Sequence, residues 1–309
     1  MEKKSFWKRQ QTISSVKPIN GMICVLPALI SIFVLVVIPA MLTLALSFTD
    51  FNGDYSDMEF VWFENYVNFF TVLGDGVGNA FVNTFRYMLL MVLPLQILAL
   101  GAALLVNGKL RGSTFFRAVF FLPSVLGISV VCTIWVRMYD PIDGFFANML
   151  RSLYAVFPFI PESSAFLGDP DMSMIYIAIT ALWASFGYSM ALYLAGLAGV
   201  SKDYYEAASL EGAGGFVTFF KITLPLIWPS VTICLWVALN GTLGMSEYII
   251  FMTNGAHNTT TIGFYIYNMV MQNTASQGQA SAVSIYFFLF TTTVMLLFYK
   301  FVRKRETDL

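Results

Sequence analysis

Six separate stretches of this 309-residue sequence are apolar for long enough to cross a lipid bilayer. A helix needs about 20 consecutive apolar residues to span the hydrocarbon core. The stretches run from about Gly21 to Phe48, Ala80 to Val106, Val119 to Met138, Met174 to Gly199, Leu224 to Met252 and Ala282 to Val302. Each is expected to be one membrane helix, which makes the fold an all-α membrane protein with six transmembrane helices. Composition agrees. Hydrophobic residues are 58% and charged residues 11%, and mean hydropathy is +0.71. Soluble domains carry about 25% charged residues. So few charges cannot cover so much apolar surface in water, which excludes a soluble fold and intrinsic disorder alike.

The chain divides into a basic leader at residues 1–20, a membrane domain at 21–302 and a short tail at 303–309. The first apolar run is too long for the h-region of a cleaved signal peptide and lacks a small-residue cleavage site, so it reads as a retained helix. Charge is segregated between the loops. Lys3, Lys4, Lys8, Arg9 and Lys17 lie in the leader, and Lys109, Arg111 and Arg117 follow the second span. Lys202 and Lys221 follow the fourth, and Lys300, Arg303, Lys304 and Arg305 lie at the tail. These are fourteen of the seventeen basic residues, all on one side of a six-span chain; Arg86, Arg137 and Arg151 lie elsewhere. The opposite loops are acidic, with Asp50, Asp54, Asp57, Glu59, Asp140 and Asp143 among them. The positive-inside rule therefore places both termini in the cytoplasm.

Other classes are disfavoured by what the residues offer. A net charge of −1 gives no basic field for nucleic acid. Cys24, Cys132 and Cys234 sit apart in apolar runs and read as small hydrophobes. The one histidine, His257, has no second histidine or cysteine near it, so a histidine-based metal site is not expected. The segment Phe60–Phe70 is aromatic and suits the headgroup level of a bilayer. Pro27, Pro39, Pro94, Pro123, Pro225 and Pro229 punctuate the spans and can kink them. No strong internal repeat marks a self-contained carrier of inverted repeats.

The loop between the fourth and fifth spans, Val200–Thr223, is long enough to hold structure of its own. Asp203 is expected to cap a short helix, Tyr204 to Leu210, with Glu206 in its first turn. Gly212, Gly214 and Gly215 break it, and a second amphipathic stretch, Phe216 to Ile222, leads to Leu224 and Pro225. A helix–elbow–helix of this kind docks into a groove of a soluble partner or lies as a plain interfacial hairpin.

Here the spacing resembles a known family. Glu206, Ala207 and Ala208, three residues, Gly212, nine residues, then Ile222, Leu224 and Pro225 resemble the EAA motif of permease subunits in binding-protein-dependent bacterial ABC importers. The resemblance covers most of the chain. It includes LPALISIFVLVVIPAMLTLALSFTDFNG in the first span, FENYVNFF and NAFVNTF beyond it, FRAVFFLP (116–123), WASFGYSMALYLAGL (183–197) and EYIIFMTNG (247–255). It is similar to the first of two permease subunits in maltose, multiple-sugar and glycerol-phosphate systems. One departure lies after the fifth span, where Gly255 is followed by Ala256 and His257 rather than by a second glycine and proline.

The resemblance implies a type I ABC importer permease fold with a cytoplasmic coupling helix, in a bacterial cytoplasmic (inner) membrane. It implies a second permease subunit, an ATPase dimer that binds ATP and Mg, an external or periplasmic substrate-binding protein and a carbohydrate substrate. The chain itself would hold no cofactor and no catalytic or metal residue. No GxxxxGK[ST] occurs: Ala103 replaces the first glycine ahead of Gly108-Lys109, and Leu110 replaces the hydroxyl residue. Glu206, Ala207, Ala208, Gly212, Ile222, Leu224 and Pro225 would couple to the ATPase. Polar groups within spans are costly and are candidates for the substrate path. Those are Trp183, Ser185 and Tyr188 in the fourth span and Asn240, Thr242, Ser246 and Glu247 in the fifth. Aromatic faces with amides and hydroxyls suit a sugar; the plain alternative is hydrogen bonding between helices. Rival readings are uptake of glycerol phosphate or another polyol by the same machinery, a standalone secondary carrier, and a membrane-embedded enzyme. The last predicts clustered catalytic groups at one depth, which the sequence does not offer.

Overall fold

The computed structural model describes residues 18–56, 58–71, 74–108, 112–157, 164–272 and 276–306. The leader to Lys17, Asp57, Lys109 and Arg111, the segment 158–163 with Glu162, and the tail residues 307–309 lie outside the described residues. The described chain is helical apart from turns and one isolated bridge between Thr49 and Phe60.

The first apolar stretch forms α1, made of Pro18–Ile32, a π-helical turn at Phe33–Val37, and Ile38–Leu46. Pro39 cannot donate a backbone hydrogen bond, and the wider turn just before it accommodates that loss. Next come α2 (Glu64–Thr71), α3 (Gly74–Asn107), α4 (Ser113–Val125), α5 (Ile128–Met138), α6 (Phe145–Val156) and α7 (Ser173–Ala198). They are followed by α8 (Lys202–Leu210), α9 (Gly215–Leu226), α10 (Trp228–Leu243), α11 (Glu247–Met252), α12 (Ile262–Met271) and α13 (Gln277–Glu306).

Four helices, α1, α3, α7 and α13, are continuous and long and apolar enough to cross a membrane. The third and fifth apolar stretches are instead bent pairs, α4 with α5 at 99° and α9 with α10 at 71°. Counting each pair as one crossing gives the six expected spans. The span expected from Val119 to Met138 is therefore broken into two helices. Pro123 weakens the helix at its end, Leu126 turns extended at ψ 140°, and Gly127 restarts the chain at ψ 143°. Pro225 and Pro229 flank the second bend. The fifth stretch also stops at Leu243 instead of running to Met252, and α11 follows as a separate short helix. Thr261 Oγ1 donates to the Met245 carbonyl at 2.9 Å, satisfying an acceptor that the break leaves open. Pro94, by contrast, sits inside an unbroken α3.

α3, α7 and α10 pack together at the centre, with α4 across α7 and α11 against α5. Tyr87, Leu95, Ile177, Met190 and Tyr193 are fully enclosed there. At the α4–α7 crossing Gly187 faces backbone directly: a Cβ there would collide with the Phe120 carbonyl. Small residues let helices approach this closely where lipid supplies no hydrophobic drive. One polar cluster crosses the centre. Tyr193 donates to Gln96 Oε1 at 2.5 Å, and Gln96 Nε2 donates to the Cys234 carbonyl at 3.4 Å, joining α7, α3 and α10. α1 has its most apolar part unburied, while its Ile38–Leu46 end packs against α13. It is tied at one end, where the buried Asn65 side chain donates to the carbonyls of Ser47 and Thr49 at 3.0 and 2.7 Å.

Candidate functional site

The α4–α5 bend and the α10–α11 break both line one cavity. Its volume is about 550 Å3, within the range of small-molecule sites. Pro123, Ser124, Leu126 and Ile128 line it from the α4–α5 bend, and Gly244, Met245, Glu247 and Tyr248 from the α10–α11 break. α3 contributes Tyr87, Met91 and Leu95, and α7 contributes Ala181, Ala184, Ser185, Tyr188 and Ser189. Irregular backbone at membrane depth is tolerated where it is enclosed by protein or lines such a cavity, because elsewhere its amides find no partner. In transporters, interrupted helices accordingly mark solute sites.

Of the seven residues singled out as substrate contacts, Ser185, Tyr188, Asn240, Thr242 and Glu247 line this cavity. Tyr188 is exposed, and its ring and hydroxyl are presented together. The Thr242 hydroxyl donates to Ala238 O at 2.9 Å, so its hydrogen is taken by its own helix. Asn240 Nδ2 likewise donates to Trp236 O at 3.1 Å. Trp183 and Ser246 are not among the lining residues. The Trp183 ring meets the Trp135 ring edge-on at 5.6 Å, and Ser246 immediately precedes α11, its amide donating to Glu247 Oε2 at 3.4 Å. Sequence reasoning missed Tyr87, Ser124, Ser189 and Tyr248. Ser189 lies one helical turn beyond Ser185, so its spacing was a usable signal. Tyr87 was hidden, since nothing in the sequence says which face of α3 turns inward.

At the far end of α7 the 200–223 loop folds as helix, elbow, helix. Ser201 rather than Asp203 is the N-cap of α8: Ser201 is extended (φ −63°, ψ 140°) and its hydroxyl accepts the Asp203 amide at 3.3 Å. Asp203 occupies the first turn, where the helix dipole favours an acid. After Leu210 the chain closes with the Gly212 amide donating to Ser209 O at 3.1 Å and the Ala213 amide to Ala208 O at 2.9 Å. This is a Schellman-type end, with Gly212 left-handed at φ +72°. Glu206 and Ala207 are exposed and Ala208 is buried. Ile222, Leu224 and Pro225 fall within α9, half-buried, Ile222 inside a π-helical turn at Phe219–Thr223 and the other two just after it.

The loop after α11 departs from regular backbone. Asn254, Gly255, His257 and Asn258 all have positive φ, between +50° and +76°. His257 lines a second, smaller cavity of about 360 Å3 with Tyr139, Asp140 and Thr253. Among the described residues no group of three or more His, Cys, Asp or Glu could hold a metal ion.

Comparison with known proteins places the chain. Over 287 residues it is 25% identical to a probable starch degradation products transport system permease protein of Thermoanaerobacterium thermosulfurigenes, covering 92% of this chain and 94% of that one. Over 294 residues it is 29% identical to a lactose transport system permease protein of Rhizobium radiobacter, covering 93% and 95%. A solved bacterial ABC transporter involved in import of the acidic polysaccharide alginate superposes with a TM-score of 0.78 at 22% identity, over 97% of this chain and 99% of that one, which shows the same fold. A family model described as binding-protein-dependent transport system inner membrane component matches residues 87–307, so this chain belongs to that family of multi-pass membrane proteins.

Proposed function

We propose that this chain is one permease subunit of an ATP-driven ABC importer that takes up a carbohydrate delivered by an external binding protein. The observation that carries the reading is α8: an EAA-spaced helix with Glu206 and Ala207 exposed, ended by the left-handed Gly212. An exposed helix with a fixed elbow is the kind of element that seats in a groove of a partner. The chain has no P-loop, so energy comes from a separate ATPase dimer that binds ATP and Mg. Glu206 makes the charged contact with that dimer, and Ile222, Leu224 and Pro225 carry its motion into α10. The segregation of basic residues supports cytoplasmic termini and puts α8 on the ATPase side.

The cavity supports the carbohydrate reading. Tyr188 gives an exposed aromatic face, and Ser185, Asn240 and Glu247 give polar groups for hydroxyls. Relatives that carry lactose and starch products over nearly the whole chain support the same class. A second permease subunit closes the remaining side, and alternating access moves the solute past the α4–α5 and α10–α11 breaks. The test is reconstitution of this chain with its partner permease, ATPase and binding protein in liposomes. Uptake of a radiolabelled saccharide is expected to require both ATP and the binding protein. Uptake that persists without ATP contradicts the proposal.

A further inference from the structure

The cavity holds one formally charged side chain. Of its lining residues only Glu247 has an acidic or basic side chain; the rest are apolar, hydroxyl, phenol, amide or backbone groups. Glu247 begins α11, where its Oε2 accepts the Ser246 amide at 3.4 Å, and among the described residues it has no basic partner. The protein walls around it are largely apolar: Met91, Leu95, Leu126, Val237 and Met245. Glu247 is exposed in this chain and, as the one acidic or basic side chain of the lining, sets the sign of this subunit's contribution to the potential in the cleft.

We propose that Glu247 makes this site select by charge, admitting uncharged or amine-bearing sugars and rejecting phosphorylated sugars, polyol phosphates and uronic acids. The inference rests on the cavity being the solute path of the importer proposed above. A carboxylate offers several acceptor positions, so two neighbouring sugar hydroxyls can donate to it together. An anionic solute would bring like charge against it, an arrangement that specific sites use to exclude wrong partners. The exposed Tyr188 can stack on the apolar face of a neutral ring but supplies no cation to offset a phosphate. The selection therefore runs opposite in sign to what an acidic polysaccharide needs, although an alginate transporter shares the fold.

The test uses the assembled transporter in liposomes with the exposed Cys24 replaced by Ser. Ser185→Cys supplies a thiol in the cavity, which is modified with cationic and anionic methanethiosulfonates of similar size, and rates are normalised to those of free cysteine. The cationic reagent is expected to react at least tenfold faster, Glu247→Asp to keep that preference, and Glu247→Gln to reduce it at least threefold. In parallel, uptake of maltose and lactose is compared with that of glycerol 3-phosphate and digalacturonate. Neutral solute is expected to enter and the anions not to. A rate preference that Glu247→Gln leaves unchanged, or anion uptake equal to that of the neutral sugars, overturns charge selection. A persisting preference with no saccharide uptake instead overturns the carbohydrate reading and leaves charge selection standing.

Discussion

At Gly212 the backbone enters the left-handed region at φ +72°, with no neighbouring atom near the place a Cβ would occupy. The constraint is thus conformational, not steric crowding. An L side chain there costs about 1–2 kcal/mol, enough to shift a docking equilibrium roughly fivefold to thirtyfold. Gly212→Ala is expected to lower ATPase-subunit recovery in affinity purification by that order while leaving the permease itself in the membrane fraction. Tyr193 presents a different case. Tyr193→Phe removes the donor to Gln96 Oε1 inside the α3–α7–α10 centre. Side-chain hydrogen bonds between membrane helices are worth about 0.6–1.7 kcal/mol, so a melting temperature lower by about 2–4 °C is expected in detergent. A thermal unfolding scan of the purified complex reads it directly.

At the scale of elements, the helix breaks explain why the cavity exists. Six apolar stretches were legible because length and hydropathy alone mark a span. The bends were not. Pro94 lies in an unbroken α3, whereas Pro123 precedes a 99° bend, so proline licenses a kink without fixing it. What decides the second case is the extended Leu126–Gly127 step, a tertiary outcome. The Asp203 cap failed for a related reason: Ser201 and Asp203 are both good caps two residues apart, and backbone geometry chose Ser201. The EAA spacing was fully legible because it is a local motif, while the Tyr87 side of the cavity depends on the rotation of α3. At the α4–α7 crossing, Gly187→Leu would force apart helices that meet backbone to backbone. It is expected to abolish accumulation of the assembled transporter, measured by immunoblot of membranes, whereas the outward-facing Leu122→Ala is expected to be tolerated. The turn from α5 to α6 offers a pH readout. The Asp143 and Ile142 amides donate to the Asp140 carboxyl at 3.0 and 2.9 Å and hold it below the usual carboxylate range. Its contribution to stability is present above the unfolded value of about 3.9 and is lost as pH falls through the lower folded value. The melting difference between wild type and Asp140→Asn is therefore expected at pH 7 and to vanish at low pH.

For the whole molecule, two places along one chain matter together. The cavity is lined by the α4–α5 bend and the α10–α11 break, and the elbow of α8 follows the end of α7, the helix that lines the cavity with Ser185, Tyr188 and Ser189. Tyr193, which donates to Gln96 of α3, sits one turn beyond Ser189 on that same helix, so hydrogen bonds join α3, α7 and α10 between α8 and the cavity. α1 remains largely unburied within this chain, as expected of a helix that meets lipid or a second permease. The central claim is that α8 is where outside energy enters. The most direct measurement is affinity purification of tagged wild type, Glu206→Lys and Gly212→Asp in mild detergent, with mass spectrometry of the recovered subunits. Wild type is expected to bring a second permease and an ATPase, and both variants to keep the permease and lose the ATPase. Wild type that purifies alone and moves solute in liposomes without ATP would contradict it.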